Sequence, residues 1–342
     1  MDECGLLDLI ISRLPGINSK DRICLCEKFG REGDLIKFSK EAIEGILGHP
    51  LKVLWDINEI RTKAQQDAAA CRLRSIHWVN WKDPAYPPAL REIYDPPAIL
   101  FYRGQLPNPE NSLLGMVGTR KPSPEASAQA FNLARDLGRM GVSVVSGLAK
   151  GIDAMSHKGN LEGGATTFAV LGSGVDEVYP SVNRPLAVRI LDNGGAILSE
   201  YPPGTGPLKW NFPARNRIIS GLSRSVLIVE APQRSGALIT ADMALDQGRE
   251  LWVASSGVQS EQEAEKSPVH GRYDKRGTTK LAGDGAEIIY QAGDVLAKWG
   301  MAAGAEKASE RLPCVSLEAS ESTAGTGRAL AASMAKSLDI DL

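Results

Sequence analysis

The chain is poor in the residues that staple a small protein or bind a metal. Of its 342 residues, five are cysteine (Cys4, Cys24, Cys26, Cys71, Cys314) and four are histidine. The cysteines are odd in number and scattered, and they form no CxxC pair. That argues against a disulfide framework and a zinc site, and it suits a reducing cytoplasm. Long apolar runs are missing as well. The start, Met1-Asp2-Glu3, is acidic and lacks the charged segment and apolar run of a signal peptide. No stretch reads as a membrane span. A dominant charge is also lacking. The formal net charge is −2, so attraction of the whole molecule to a polyanion is weak, and any anion site must be a local patch. The apolar fraction of 43% is that of an ordinary globular protein, and the length allows two or three domains.

One absence is local. No acid lies between Glu200 and Glu230, although the span holds Lys209, Arg215, Arg217 and Arg224. Its centre is Asn211-Phe212-Pro213-Ala214-Arg215-Asn216-Arg217. Such a run lacks the internal ion-pair partners of a solvated charged face, so it looks built to receive an external anion. Arginine offers a planar fork suited to phosphate, and asparagine adds an amide that can reach a phosphate or a base edge. The competing reading is a buried arginine network joining two elements.

Periodicity divides the chain into four parts. Residues 1–75 read as a small all-helical domain. Leu6, Leu7, Ile10, Ile11 and Leu14 recur at helical spacing, Pro15-Gly16-Ile17 breaks the run, and Ser19 is placed to cap a second helix. Helix, Pro-Gly-Ile turn and helix is the outline of a helix-hairpin-helix, whose turn can offer N–H groups to a DNA phosphate. Plain scaffold is the alternative. Residues 76–110 form a joint rich in proline and tryptophan that packs on the next domain. From 111 to 300, apolar strands ending in glycine alternate with helical stretches. The strands are read at 113–118, 142–147, 165–171, 196–199, 226–230 and 251–254. That pattern predicts an α/β fold with a doubly wound, mostly parallel sheet. Residues 257–276 read as a polar surface loop, and the tail from 301 reads as mostly disordered.

In a doubly wound sheet, ligands bind beyond the carboxyl ends of the strands. Three candidate anion loops fall there. Gly118-Thr119-Arg120 follows the first of these strands. Ser146-Gly147-Leu148-Ala149-Lys150-Gly151 follows the second, and its glycines can shape a nest of N–H groups. The third is the segment of Arg215 and Arg217. Each alone is compatible with an ordinary strand-to-helix turn. Together they point to an extended phosphate-binding site. Catalytic motifs fare poorly. GxxxxGK[ST] and GxSxG are absent, and Gly172-Ser173-Gly174 lacks the third glycine of a dinucleotide fingerprint. Asp153 and His157, with Ser146 as nucleophile, are the weak acid–base alternative. Asp153 reads better as a helix cap or as a group that orients Lys150 or a loop N–H.

With these motifs in place, the chain resembles the DNA-processing protein A family (DprA, also called Smf) over about residues 78–298. The resemblance rests on Val117-Gly118-Thr119-Arg120, Ser146 to Asp153, Ala169 to Gly174, Tyr179-Pro180 with Asn183, and Ser199 to Gly204. Phe212 to Arg217 and Ser235-Gly236-Ala237-Leu238-Ile239-Thr240-Ala241 complete it. The N-terminal region resembles that family's sterile-alpha-motif-like domain. The resemblance implies an extended Rossmann-like domain that binds single-stranded DNA. It implies protection of incoming strands in natural transformation and loading of RecA recombinase onto strands covered by single-strand-binding protein. It also implies a homodimer, with no catalysis and no cofactor or metal. By the family's pattern, Gly118, Thr119, Arg120, Ser146, Gly147, Lys150, Gly151, Asn211, Phe212, Arg215, Asn216, Arg217, Ser235 and Gly236 contact DNA. Phe212 or Phe168 is the candidate for stacking a base.

The chain departs from that pattern in four places. Thr166 stands where a basic residue usually precedes the third strand, which removes one expected phosphate contact. Ala254-Ser255-Ser256-Gly257 replaces an Ala-Val-Pro-Gly turn. The loop before Gly277 is longer, with Thr279 where Asn is common. No complete winged helix is legible after Trp299. Two alternatives stay open: a Rossmann-like enzyme acting on a nucleotide or phosphosugar, and a degenerate member serving as an interaction module.

Overall fold

The computed structural model describes residues 3–53, 56–259 and 273–301. The expected tail and most of the polar loop lie outside the described residues. The helices in chain order are α1 (Glu3–Arg13), α2 (Ser19–Lys28), α3 (Glu32–Leu35), α4 (Lys40–Leu47), α5 (Ile57–Leu73), α6 (Pro88–Arg91), α7 (Pro124–Arg139), α8 (Ile152–Glu162), α9 (Arg184–Asp192), α10 (Asn211–Leu222) and α11 (Gly236–Asp246). Two more helices, Arg276–Gly283 and Ala292–Lys298, close the described chain.

The strands are β1 (His77–Asn80), β2 (Ile99–Gly104), β3 (Leu113–Val117), β4 (Ser143–Ser146), β5 (Thr167–Val170), β6 (Ala196–Ser199), β7 (Ser225–Ile228), β8 (Glu250–Ala254) and β9 (Glu287–Ile289). They form one nine-stranded sheet in the order β1-β2-β6-β5-β4-β3-β7-β8-β9. From β6 to β9 every pairing is parallel, and β1 and β2 extend the β6 edge antiparallel. The chain winds outward from β3 to β6, then returns past β3 and winds the other way through β7. The switch point of this doubly wound, Rossmann-like sheet therefore lies between β3 and β7.

The central strands β3 to β7 are buried along their whole length. That explains their near-continuous apolar composition, because a parallel sheet is covered on both faces. One face packs Ala126, Ala130, Leu133 and Leu137 of α7 against Leu114, Met116 and Val144. The other packs Ile218 and Leu222 of α10 and Ala237 and Ala241 of α11 against Val145, Val170 and Val226.

The proline-rich segment at 76–110 contributes β1 and β2 to this same sheet. Its prolines fall between the two strands or, as Pro107 and Pro109, after the second, where no ladder hydrogen bond is needed. The N-terminal helices pack on the β6–α9 side of the molecule. Polar ties fasten them there. Arg13 donates to the Pro203 carbonyl (2.6 Å), Arg74 pairs with Asp176 (2.7 Å), and Ser19 accepts from the Ala98 N–H (3.2 Å) and donates to the Pro96 carbonyl.

The cap of α2 differs from the expectation. Asn18, not Ser19, is the cap. Its side chain accepts from the Asp21 N–H (2.9 Å), while Asp21 accepts from the Asn18 N–H (3.0 Å). Ser19 is instead used to bind the α/β body. In the Pro-Gly-Ile turn, Ile17 is buried while Gly16 is exposed. Val53 sits 2.7 Å from where a Gly16 side chain would begin, and Arg22 donates to the carbonyls of Leu14 and Ile17.

Candidate functional site

An open cleft of about 890 Å³ lies at the switch point, beyond the carboxyl ends of β3 and β7. A smaller recess of about 170 Å³ adjoins it toward β4. The cleft takes Gly118, Thr119, Arg120 and Lys121 from the loop after β3, and Lys209 from the segment before α10. From α10 come Phe212, Arg215 and Asn216, and from the start of α11 come Ser235 and Gly236. Gly147, Ala149 and Lys150 line the recess with Arg120, Phe212 and Arg215. Residues spread over more than a hundred positions thus meet because each follows a strand of the same parallel sheet.

The loop after β4 is built tightly. Gly151 has φ of +78°, and a side chain there would meet Thr119 and lie 2.8 Å from the Arg120 carbonyl carbon. Only glycine lets the two loops approach in this way. Leu148, with φ of +56°, is also left-handed. Asn183 stabilises that conformation by donating to the carbonyls of Leu148 (2.8 Å) and Ala149 (3.2 Å).

The N–H nest that the glycines suggest is formed, but it is filled from inside. Asp153 of α8 is buried, and the backbone N–H groups of Ala149, Gly147 and Gly118 turn toward its carboxylate. Burial raises the Asp153 pKa, opposed by the nearby Arg215 charge and these N–H donors. The N–H groups of this loop are therefore already turned toward the protein's own carboxyl group. The loop's offer to a ligand is the exposed Lys150 side chain at its tip.

Arg215 is 5% exposed and lines both cavities. Its guanidinium lies on the Gly147 backbone, its central carbon 2.6 Å from where a Gly147 side chain would begin. One Nη donates to the Val170 carbonyl, and Nε has no partner. Burial lowers its pKa to about 10, with Asp153 pulling the other way, so it stays charged at neutral pH. Asn216 donates to the Gly236 carbonyl (3.1 Å), tying α10 to the start of α11.

Four expected contacts line neither cavity, and Gly151, packed against Thr119 and Arg120, is the first of them. Arg217 turns away from the cleft and makes a bidentate pair with Glu200 (2.7 Å on both arms), while its Nε donates to Asp95 (3.0 Å). Burial acts against its charge, but these carboxylates hold its pKa above the usual arginine value. The acid-free span was thus misleading at its edge, since Glu200 closes it and Asp95 arrives from far along the chain. Ser146 is fully buried in β4 and donates to the Met116 carbonyl (2.6 Å). Asn211 is buried, and its Nδ2 has no partner.

Phe212 faces the cleft. Its ring centre lies 5.6 Å from that of Tyr179 and 5.8 Å from the Arg120 guanidinium. Phe168 belongs to the core. Thr166 precedes β5, so it sits at the opposite end of the sheet from the cleft. There its hydroxyl meets that of Ser143 at 3.1 Å. Thr166 therefore lines neither cavity.

The acid–base alternative is not assembled. His157 is fully buried and shares a 2.8 Å hydrogen bond with Thr167, and burial pushes its pKa down to about 3. It is neutral at pH 7 and does not meet the Ser146 hydroxyl, which is committed to Met116. Among the described residues no cluster of three or more His, Cys, Asp or Glu is placed to hold a metal ion, and no helix is long and apolar enough to cross a membrane.

Sequence reasoning missed Lys121 and Tyr179 as lining residues. Lys121 directly follows the Gly-Thr-Arg loop, and its position was the available signal.

Comparison with known proteins agrees with this geometry. Residues 77–300 match the model of the DNA recombination-mediator protein A family. DNA processing protein DprA of Bacillus subtilis is 37% identical over 241 residues, covering 70% of this chain and 77% of that protein. The crystal structure of DNA processing protein A from Streptococcus pneumoniae superposes with a TM-score of 0.65 at 30% identity, over 84% of this chain and 95% of that one. The Helicobacter pylori protein, studied for its single-stranded DNA binding mode, gives 0.54 at 27% identity, over 65% of this chain and 95% of that one. A Rossmann-like sheet, a cleft at its switch point and these relatives agree, and the chain belongs to the DNA recombination-mediator protein A family.

Proposed function

We propose that the chain binds single-stranded DNA along the switch-point cleft and passes the strand to a recombinase of the RecA class. One observation carries the binding step. Arg120, Lys121, Lys150 and Lys209 are all exposed around the two cavities, and among the described residues none is in an ion pair with a carboxylate. Asp274 also lines the cleft, but it is held by Arg276 (2.8 Å). Unpaired cations on several loops, beside aromatic faces such as Phe212, suit a sugar-phosphate backbone whose bases can stack. Phosphate contact releases counterions, so affinity falls with salt.

The recombinase step rests on membership of a recombination-mediator family. On the same basis we propose action on incoming strands in transformation, in the cytoplasm, as a homodimer, on DNA coated by single-strand-binding protein, with no catalysis. The division into an N-terminal helical unit, a joint, a DNA-binding body and a tail is part of the same proposal.

The test is fluorescence anisotropy of labelled oligo-dT across a salt series. Arg120→Ala should lower affinity about tenfold and reduce the salt slope by about one, with the melting temperature unchanged. An unaltered salt slope would remove Arg120 from the interface. The switch-point position also admits a mononucleotide. Against it, the N–H groups of the loop after β4 are already turned toward Asp153. A nucleotide that raises the melting temperature and displaces oligo-dT would favour the enzyme reading instead.

A further inference from the structure

Just before α10, the chain runs as a strap from Pro203 to Trp210 along the mouth of the cleft. Pro207 and Lys209 of this strap line the cleft, as do Phe212 and Pro213 just beyond it. Trp210 lies between these residues in sequence, yet its side chain is turned outward. It is 69% exposed.

The exposure is not that of a slack loop, because the strap is tied at both ends. At its start, the Gly204 N–H donates to Asp176 (3.0 Å), which is itself paired with Arg74 (2.7 Å), and Arg13 donates to the Pro203 carbonyl (2.6 Å). In its middle, Thr205 accepts from the Gly174 N–H (2.8 Å). At its end, the Asn211 N–H donates to the Leu208 carbonyl (3.0 Å), and the first turn of α10 follows. The backbone therefore holds a large apolar ring in water beside an unpaired lysine. Exposed aromatics rimmed by positive charge are the elements of a base-stacking platform, since every base has a π-face and the adjoining phosphate needs a cation.

We propose that Trp210 stacks a base of the strand where it leaves the cleft, with Lys209 on the neighbouring phosphate. This rests on the reading of the cleft as a single-strand site and adds a contact outside it. The N-terminal helices take part indirectly. Arg13 and Arg74 are positioning residues that fix the start of the strap.

The experiment uses the full chain and oligo-dT strands of graded length, followed both by anisotropy and by tryptophan emission. Wild-type emission should be quenched on binding. Trp210→Phe should lose that quench while keeping affinity, because a stacking face remains. Trp210→Ala should leave short strands bound as in wild type and weaken longer ones roughly five- to a hundredfold. Equal affinity of Trp210→Ala and wild type at every length, with a quench that survives in Trp210→Phe, would overturn the stacking site while leaving the cleft reading intact. Absence of wild-type binding to any strand would overturn both. Melting temperatures equal to wild type establish that each variant folds.

Discussion

Arg215 and Arg217 stand two positions apart on α10, and their surroundings divide them. Two residues are about 200° of helix rotation, so the side chains leave on nearly opposite faces. Arg215 points to the cleft floor, with one hydrogen bond to a carbonyl and Asp153 as its nearby countercharge. Arg217 points into the joint between α10, the Glu200 loop and the Asp95 turn, where two carboxylates and two carbonyls occupy its fork. One residue type in one short motif thus yields a cleft residue and a structural rivet. The difference lies in the partner acids, which come from outside the motif. Burial alone does not separate them, since both are below 10% exposed, with Arg215 at 5% and Arg217 at 9%.

The largest effect should come from breaking the rivet. Arg217→Ala leaves Glu200 without its bidentate partner, and removing one member of a largely buried pair costs about 3–5 kcal/mol. A urea midpoint should fall accordingly, while oligo-dT affinity of the remaining folded protein stays at wild type. A stable variant with lost DNA affinity would reverse the assignment and put Arg217 in the interface.

A smaller effect should follow at the cleft floor. Gly147→Ala drives a methyl group into the Arg215 guanidinium. Overpacking of this kind costs about 1–3 kcal/mol. Displacing the guanidinium should also weaken oligo-dT binding. If both stability and binding are unchanged, the guanidinium is not held where the cleft needs it.

Unlike Arg217, Asp8 is a buried charge-bearing group without a hydrogen-bond partner of opposite charge. Asp8 of α1 is buried and accepts from Trp78 Nε1 (3.3 Å) and Asn80 Nδ2 (3.2 Å), so it fastens the first helix to β1. Burial raises its pKa to about 6, with these donors and Lys82 opposing the shift and Asp83 adding to it. The folded form therefore binds a proton that the unfolded chain releases between about pH 4 and 6. Stability from this group is present at low pH and is lost as pH rises through 6. Asp8→Asn removes the ionisation and keeps an acceptor. It should gain about 1–2 kcal/mol at pH 8 and nothing at pH 4, read from melting curves at the two pH values. A gain of equal size at both would point to packing rather than charge.

Much of the fold was legible because its signals are short-range. A strand buried on both faces must be apolar, and a turn into a following helix at close approach must be glycine. The strand-and-glycine units at 113–118 and 142–147 accordingly coincide with β3 and β4 and their loops. The Pro- and Trp-rich segment was harder, since antiparallel extension of a sheet edge leaves no distinctive periodicity in four to six residues. In the site, the loop after β3 was visible as Gly-Thr-Arg. Other roles were hidden because they are set by pairing at a distance: Asp153 filling the nest, Asp95 holding Arg217, Tyr179 meeting Phe212. Thr166 carries the same lesson. The family resemblance implied a missing phosphate contact there, and the direction of β5 puts the residue at the end of the sheet away from the cleft.

The sequence by itself determined the family, the alternation of strands and helices, and the loops that close on the switch point. Each of these follows from hydrophobic period, glycine placement or motif order, all of which are local along the chain. Tertiary structure alone decided which cations face solvent and which are consumed, because a charge's role depends on the nearest opposite charge in space. Asp95, one of the two acids that hold Arg217, lies 122 residues away, and Glu125, which pairs with Lys275, lies 150 away.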